Sequence, residues 1–147
     1  MKHVVGIDVG STYTKAVILS PDRKIVGKEM HPTGFKLGEI SRKVFDDAMQ
    51  NSGLQENDIG YTISTGYGRH RVEFCDLTVT DLTATARGAN FYFPKTRTVL
   101  DIGGQTMKAS RLNEYVKVKS FRLNDKCAAG TGAILEKTAR YMGYETE

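Results

Sequence analysis

The fold is decided by the stretch Val4-Val5-Gly6-Ile7-Asp8-Val9-Gly10-Ser11-Thr12-Tyr13-Thr14-Lys15-Ala16, because much of its pattern occurs twice. The second copy reads Thr98-Val99-Leu100-Asp101-Ile102-Gly103-Gly104-Gln105-Thr106-Met107-Lys108-Ala109. Its Asp, Gly, Lys and Ala stand 93 positions after those of the first copy. Each copy has an apolar run, an Asp, a glycine-containing turn and a second β-prone run. This layout predicts two strand–turn–strand units.

The residue types in the two turns are typical of a phosphate-binding loop. Glycines let backbone N–H groups turn inward toward anionic oxygens, a carboxylate at a strand end holds Mg²⁺ through water, and a lysine supplies a mobile positive charge. We assign Asp8 and Asp101 to Mg²⁺ and to the attacking water. The residues assigned to phosphate contact are Gly10, Ser11, Thr12, Lys15, Gly103, Gly104, Gln105 and Lys108.

Two facing copies of this unit predict a clamp for a nucleoside triphosphate. The alternative is a coincidence between two ordinary hairpins, since most single Asp-x-Gly turns are only turns.

Composition sets the broad class. The chain has 147 residues, 39% hydrophobic and 26% charged, as expected for one globular domain or parts of two small ones. The net charge of +4 is spread along the chain without a basic run, so we expect no nucleic-acid partner. No apolar stretch has the length of a membrane span, and the first strand leaves no room for a signal peptide. We therefore expect a cytoplasmic protein without membrane attachment, whose two cysteines are thiols or metal ligands.

The hydrophobic pattern predicts a mixed α/β order. Predicted strands cover residues 3–9, 15–20, 24–30, 59–65, 97–101, 107–112 and 115–123, with a hairpin turn at Asn113-Glu114. Predicted helices cover residues 37–50, 79–91 and the segment after a loop at 124–130. The spacing of Ile40, Val44, Phe45 and Ala48 gives the first helix its apolar face.

The element order suggests two related halves. Residues 1–94 carry three strands, a helix, a strand and a helix, and residues 95–147 repeat the three strands and begin the next helix. We therefore expect a first half-domain at 1–94 with the first loop and an incomplete one at 95–147 with the second loop. The second sheet would lack covering helices, so that either a partner covers it or the chain is a fragment of a longer protein.

Cys127 precedes the last predicted helix, in the string Asn124-Asp125-Lys126-Cys127-Ala128-Ala129-Gly130-Thr131-Gly132. A thiol before a helix N-terminus has a lowered pKa and favours the metal-binding thiolate, and the first-turn N–H groups suit an anionic iron–sulfur cluster. The alternative is a buried, inert cysteine, which is the commoner case. We interpret Cys75 as a structural thiol.

The paired loops resemble those of the actin, sugar kinase and heat-shock chaperone superfamily. This resemblance implies an actin-like ATPase fold, with ribonuclease H-like half-domains that close over ATP. The motifs DVGST at 8–12, STGYGR at 64–69, ARGA at 86–89, DIGGQ at 101–105 and NDKCAAGTG at 124–132 narrow it further. In this order they are similar to the activator ATPases of 2-hydroxyacyl-CoA dehydratases and the ATPase subunits of benzoyl-CoA reductases.

The family resemblance implies a homodimer, or a pair of related subunits, that shares one [4Fe–4S] cluster. ATP hydrolysis would then drive a low-potential electron to a partner dehydratase or reductase. Cys127 falls on the family's first cluster ligand, and the second lies beyond Glu147. Two Cys127 thiols supply only half of four ligands, so we expect the isolated chain to lack the cluster and to hydrolyse ATP poorly or not at all. The alternative is a cluster-free, nucleotide-binding kinase-like or regulatory module of the same superfamily.

Overall fold

A computed structural model describes residues 2–124 and 131–144 of the chain. Within these ranges the chain divides into two compact units, Met1–Asp81 and Leu82–Glu147. The units are defined by spatial contacts, so the half-domain boundary expected after residue 94 stays a prediction. Cys127 lies outside the described residues.

The described strands of the first unit form one sheet in the order β3-β2-β1-β4-β5. The strands are β1 (His3–Val9), β2 (Tyr13–Leu19), β3 (Ile25–Pro32), β4 (Ile59–Thr65) and β5 (Leu77–Thr78). β1 pairs antiparallel with β2 and parallel with β4, so β1 lies at the centre of the sheet. The carboxyl ends of β1 and β4 therefore meet at one edge, where Asp8 is the register partner of Thr65.

Helix α1 (Leu37–Ser52) covers one face of this sheet. Its apolar stripe buries Val44, Phe45 and Ala48, as the sequence spacing predicts, whereas Ile40, predicted for the same face, is only half-buried. The opposing strand residues alternate with exposed neighbours and complete the core: Val5, Ile7, Val9, Ala16 and Ile18. Gly53 ends the helix in the left-handed conformation with φ 68°, and its N–H bonds to the Gln50 carbonyl. Asp8 and Lys15 occupy the alternate positions and so lie on the face opposite α1.

The second unit carries a three-stranded antiparallel sheet, counted within the described residues, and two helices. The strands are β6 (Thr98–Ile102), β7 (Met107–Leu112) and β8 (Val118–Asn124), and the helices are α2 (Asp81–Tyr92), which begins at the unit boundary, and α3 (Thr131–Tyr141). Large apolar side chains of its strands and of α3 remain exposed, among them Leu100, Phe121, Leu123, Ile134 and Leu135. The apolar side chains of Ile134, Leu135 and Met142 on and after the last helix are thus exposed to solvent.

Several details differ from the sequence-based expectation, beginning with β2, which starts at Tyr13 rather than at Lys15, and β3, which runs to Pro32 rather than to Met30. β8 begins at Val118 rather than at Tyr115, because the Asn113 side-chain oxygen accepts the N–H groups of Tyr115 and Lys117 and extends the turn. The short edge strand β5 was not predicted. Two 3₁₀ turns, Glu56–Asp58 and Arg69–Arg71, flank β4 and were also missed.

Candidate functional site

The two repeated turns have the same backbone geometry. β1 pairs with β2 so that Val9 faces Thr14, and the Gly10 N–H donates to the Tyr13 carbonyl at 3.0 Å. In the second unit the Gly103 N–H donates to the Thr106 carbonyl at 2.8 Å. These two bonds join residues at equivalent places of the 93-residue repeat. Each leaves a two-residue tip, Ser11-Thr12 in the first loop and Gly104-Gln105 in the second.

This geometry assigns the glycines a role in shaping the turn. A Cβ at Gly10 would come within 2.8 Å of the Tyr13 carbonyl oxygen, so a side chain there would break the turn. The Gly10 and Gly103 N–H groups are consumed inside their turns. In the described residues the tip N–H groups of Ser11, Thr12 and their counterparts make no hydrogen bond. The donors available to an anion are therefore those of the tips.

An aspartate and a lysine face each other across each hairpin. Asp8 is the register partner of Lys15, and the lysine Nζ donates to the Asp8 Oδ2 at 3.2 Å. Both side chains are partly exposed, 39% for Asp8 and 47% for Lys15, so they are open to a ligand. Asp101 is the register partner of Lys108 in the second hairpin, and both residues are half-buried. A carboxylate and an ammonium beside free N–H donors can bind a hydrated cation and an anion together.

The first loop rests against the residue that follows β3 along the chain. Thr33 is buried, its hydroxyl donates to the Gly10 carbonyl at 2.8 Å, and its N–H donates to the Thr12 carbonyl at 2.9 Å. The Thr14 hydroxyl lies 2.9 Å from that of Thr33. These bonds fix the loop from one side.

The STGYGR segment touches the same loop from the other side. The Gly68 N–H donates to the Val9 carbonyl at 2.9 Å, and Gly66 has φ +88°. Arg69 donates from Nη1 to the Gly66 carbonyl at 3.0 Å and so helps to shape the turn. Sequence analysis named this segment as a motif but assigned no site role to Gly66 or to Thr33.

The second loop contacts the start of α3. The Gly132 N–H donates to the Gly103 carbonyl at 3.2 Å, and a Cβ at Gly132 would lie 2.4 Å from that oxygen. Gly132 therefore permits close approach between the helix and the loop, a contact that the sequence did not suggest.

The predicted site residues thus form two groups, one in each unit. Asp8, Gly10, Ser11, Thr12 and Lys15 come together in the first hairpin, and their counterparts come together in the second. That the two loops face one another stays a prediction. Cys75 is half-buried against the first core, and its thiol lies within hydrogen-bond distance of the Ser64 hydroxyl, at 3.2 Å. In the part of the chain that the structure describes, no three His, Cys, Asp or Glu side chains are grouped to hold a metal ion.

Comparison with known proteins decides the family. Residues 5–147 match the BadF/BadG/BcrA/BcrD ATPase family along nearly the whole chain. The chain belongs to this ATPase family. The activator of lactoyl-CoA dehydratase from Anaerotignum propionicum is 44% identical to it over 140 residues. That alignment covers 95% of this chain and 54% of the relative.

Two solved structures share the fold of this family member. The component A structure of (R)-2-hydroxyglutaryl-CoA dehydratase from Acidaminococcus fermentans superposes with a TM-score of 0.84 at 34% identity, covering 99% of this chain and 56% of that one. The activator of 2-hydroxyisocaproyl-CoA dehydratase from Clostridium difficile, solved with bound ADPNP, gives 0.83 at 37% identity, covering 97% and 53%. The predicted actin-like α/β ATPase fold is therefore confirmed.

The chain spans about half the length of the curated relatives that it matches. None of its described helices is long and apolar enough to cross a membrane.

Proposed function

We propose that the two hairpin loops bind the phosphates of Mg-ATP, and that the protein acts as an ATP-dependent activator of an acyl-CoA dehydratase or reductase. The observation that carries this proposal is the repetition of one turn geometry with an Asp–Lys pair across each hairpin. Open tip N–H groups are common in two-residue hairpins, and the feature that sets these two apart is the same Asp–Lys register repeated beside them. The names of the relatives, activators of lactoyl-CoA and 2-hydroxyisocaproyl-CoA dehydratases, supply the class of partner.

The residues of the first loop suit a metal–phosphate pair. The Asp8 carboxylate would hold the hydrated Mg²⁺, and the tip N–H groups of Ser11 and Thr12 would receive phosphate oxygens. Lys15 pairs with Asp8 across the hairpin, and its partly exposed ammonium would also be within reach of a phosphate bound at the tip. Bound Mg²⁺ would neutralise phosphate charge and orient the attacking water. Asp101, Gly104, Gln105 and Lys108 hold the equivalent places in the second loop.

The test of this site is the loss of either aspartate in the intact protein. Asp8→Ala and Asp101→Ala should each abolish Mg²⁺-dependent binding and hydrolysis of ATP. Asp22→Ala is the matched control, because Asp22 also sits in a hairpin turn and pairs with a lysine, Lys24, at 2.9 Å, but lies outside the repeat. Wild-type turnover in both loop variants would remove the phosphate-clamp proposal.

We further propose that Cys127 is a ligand of a [4Fe–4S] cluster shared by two subunits, from which the electron passes to the partner enzyme. The support is its place in NDKCAAGTG and the family membership. Anaerobic reconstitution of the intact protein with iron and sulfide should give a brown protein, and Cys127→Ser should lose the colour and the iron. Cys75→Ser is the matched control and should keep both. A full iron complement in the Cys127 variant would contradict the ligand assignment and favour the alternative, a cluster-free kinase-like or regulatory module.

The isolated chain should show neither property in full. We expect it to lack the cluster even as a dimer, because two Cys127 thiols are too few. We also expect poor ATP turnover, since adenine recognition needs a pocket with placed polar groups that the sequence does not suggest. Localisation to the cytoplasm and a homodimeric or paired-subunit state complete the proposal. Robust, ATP-selective turnover by residues 1–147 alone would contradict it.

A further inference from the structure

The first loop is held between two segments that carry none of its proposed ligands. We propose that Thr33 and Gly66 are positioning residues, which keep the Gly10–Thr12 turn and the Asp8 carboxylate in the shape that a Mg-phosphate requires. This inference rests on the proposed phosphate site and names two residues that its function needs without contact to the ligand.

Thr33, a buried residue, forms hydrogen bonds to both ends of the loop tip. Its hydroxyl donates to the carbonyl of Gly10, before the tip, and its N–H donates to the carbonyl of Thr12, at the end of the tip. With 3% of its surface exposed, Thr33 has few other conformations open to it. The spacing of the two carbonyls, and with it the direction of the tip N–H groups, is therefore set from outside the loop.

The direction of each hydrogen bond follows from the chemistry of the groups. A carbonyl only accepts, so the single Thr33 hydroxyl proton goes to Gly10. The Thr14 hydroxyl, which is fully buried, must then donate to Thr33 across 2.9 Å. The Thr14 hydroxyl, the Thr33 hydroxyl and the Gly10 carbonyl thus form a linear chain of two hydrogen bonds, and both bonds need a hydroxyl at position 33. Serine can replace that hydroxyl, whereas the isosteric valine cannot.

Gly66 fixes the carboxylate from the other side. Its φ of +88° favours glycine, and a Cβ built on it would lie 2.4 Å from the Asp8 Oδ1 and 2.6 Å from the Val9 carbonyl oxygen. The Gly68 N–H holds the same turn against Val9. Any side chain at position 66 must therefore displace both the Val9 backbone at the end of β1 and the carboxylate proposed to hold the cation.

The Thr33 arm of the test compares two substitutions in the intact protein. Binding of Mg-ADPNP is measured by calorimetric titration for Thr33→Val and Thr33→Ser. Valine should weaken binding about tenfold, the effect of one or two lost hydrogen bonds, and serine should stay within about twofold of the wild type. Equal affinity in the valine variant would overturn the role of Thr33, and so would an equal loss in the serine variant.

A second substitution keeps this arm decisive if Thr33→Val does not fold. Thr14→Val removes only the outer bond of the chain and should weaken Mg-ADPNP binding by a smaller factor, about threefold. Circular dichroism checks that the variant is folded. If Thr33→Val does not fold and folded Thr14→Val binds Mg-ADPNP with wild-type affinity, the proposed role of Thr33 is wrong.

The Gly66 arm compares two glycines that share a positive φ. Gly53 has φ +68° with nothing near its Cβ position, so Gly66→Ala and Gly53→Ala carry a similar backbone penalty. ADPNP binding is measured against Mg²⁺ concentration and again in EDTA. Gly66→Ala should raise the Mg²⁺ concentration needed for half-saturation about tenfold and weaken metal-free binding by a smaller factor, because its Cβ displaces the cation-holding carboxylate together with the backbone that leads into the loop. Gly53→Ala should match the wild type, and an equal shift in both variants would contradict the inference.

The wild-type titration separates this inference from the proposed function. If the wild-type protein binds no Mg-ADPNP, the phosphate site fails and the positioning roles fall with it. If the wild type binds and the Thr33 and Gly66 variants bind equally well, only the positioning roles are wrong.

Discussion

Two neighbouring residues of β4, Ser64 and Thr65, carry buried hydroxyl groups that should contribute differently to the free energy of unfolding. The Ser64 hydroxyl is fully buried and donates to the Arg69 carbonyl at 2.9 Å. The Thr65 hydroxyl is also buried, but in the described residues it has no hydrogen-bond partner. A buried polar group without a partner costs about 1–3 kcal/mol, so the Thr65 hydroxyl lowers the stability of the fold.

We therefore expect Ser64→Ala and Thr65→Val to have different effects on the free energy of unfolding. Ser64→Ala should lower the free energy of unfolding by about 0.5–1.5 kcal/mol, because the Arg69 carbonyl loses its hydroxyl donor and keeps only the longer bond from the Val72 N–H, at 3.4 Å. Thr65→Val keeps the shape and removes an unsatisfied group, so the free energy of unfolding should be unchanged or should rise. Urea denaturation at pH 7 measures both. A loss of about 1 kcal/mol or more in the valine variant would mean that the Thr65 hydroxyl has a partner after all.

A second residue-scale prediction concerns acid stability. The pKa of Asp47 is lowered by the hydrogen bond from Lys43 and, next, by that from His31, whose atoms lie 2.6 Å and 2.8 Å from its Oδ2. A carboxyl with a depressed folded pKa stabilises the protein above its unfolded pKa of about 4 and loses that contribution as the pH falls toward the folded value. Asp47→Asn should therefore flatten the fall in the free energy of unfolding below about pH 4.

The measurement is urea denaturation at closely spaced pH values between neutrality and strong acid. Glu39→Gln is the control, since Glu39, in the first turn of the same helix, pairs with Lys36 just before it and both side chains are mostly exposed. The control should retain the acid-dependent loss. An unchanged acid dependence in Asp47→Asn would show that the three-residue cluster does not contribute.

At the scale of elements, α1 and β3 approach closely at one glycine. A Cβ at Gly27 would lie 3.0 Å from the Ala48 carbonyl oxygen and 3.1 Å from the Ile18 Cδ1, so helix and strand would have to separate. Gly27→Ala should lower the free energy of unfolding by about 1–3 kcal/mol, as overpacking does. Gly6→Ala on β1 is the matched control, because nothing lies within 4 Å of its Cβ position.

The control should be neutral or stabilising by about 0.4–1 kcal/mol, through a reduced entropy of the unfolded chain. Both free energies of unfolding are measured by urea denaturation under the same conditions. Equal stability of the two variants would mean that α1 adjusts freely over β3.

Sequence analysis predicted the elements well where local pattern decides them. The bounds of β1, β4 and β7 follow from apolar runs that end at Asp, Gly or Asn, and the period of α1 gives its buried face. It failed at β8, where β-prone Tyr115 and Val116 lie in a turn held by the Asn113 side chain, with Val116 at φ 61°. Side-chain bonds to nearby backbone are invisible to a count of β-prone residues.

The site was predictable to the same extent. The repeat located both loops and their Asp–Lys pairs, because register partners in a tight hairpin are set by local spacing. Thr33 escaped prediction because its bond to Gly10 joins residues 23 positions apart. A single sequence carries no signal for such a tertiary contact, and a threonine after a strand has many ordinary uses. The roles of the predicted site residues stay predictions until the variants are measured.

At the scale of the whole molecule, the two units differ in how much apolar surface they bury. The first unit has a continuous core in which Ile7, Ile18 and Phe45 are at most 2% exposed. In the second unit, as far as it is described, the fully buried apolar residues are Ala86 and Leu112, while Leu100 is 60% and Ile134 is 65% exposed. Buried apolar area is the main source of stability, so the units should differ in the free energy at which they open.

We therefore expect the amides of β6 and β7 to exchange with solvent through an opening that costs a few kcal/mol less than that of β1 and β2. Native-state hydrogen exchange at increasing urea, read by mass spectrometry or NMR, measures the two free energies in one sample. Ile18→Val tests the independence of the units, because it removes one methyl from the first core and should lower that opening free energy by about 0.5–1.5 kcal/mol without changing the other. Equal opening free energies that fall together in Ile18→Val would show one cooperative unit. In that case the exposed apolar residues of the second unit would give no measure of its stability.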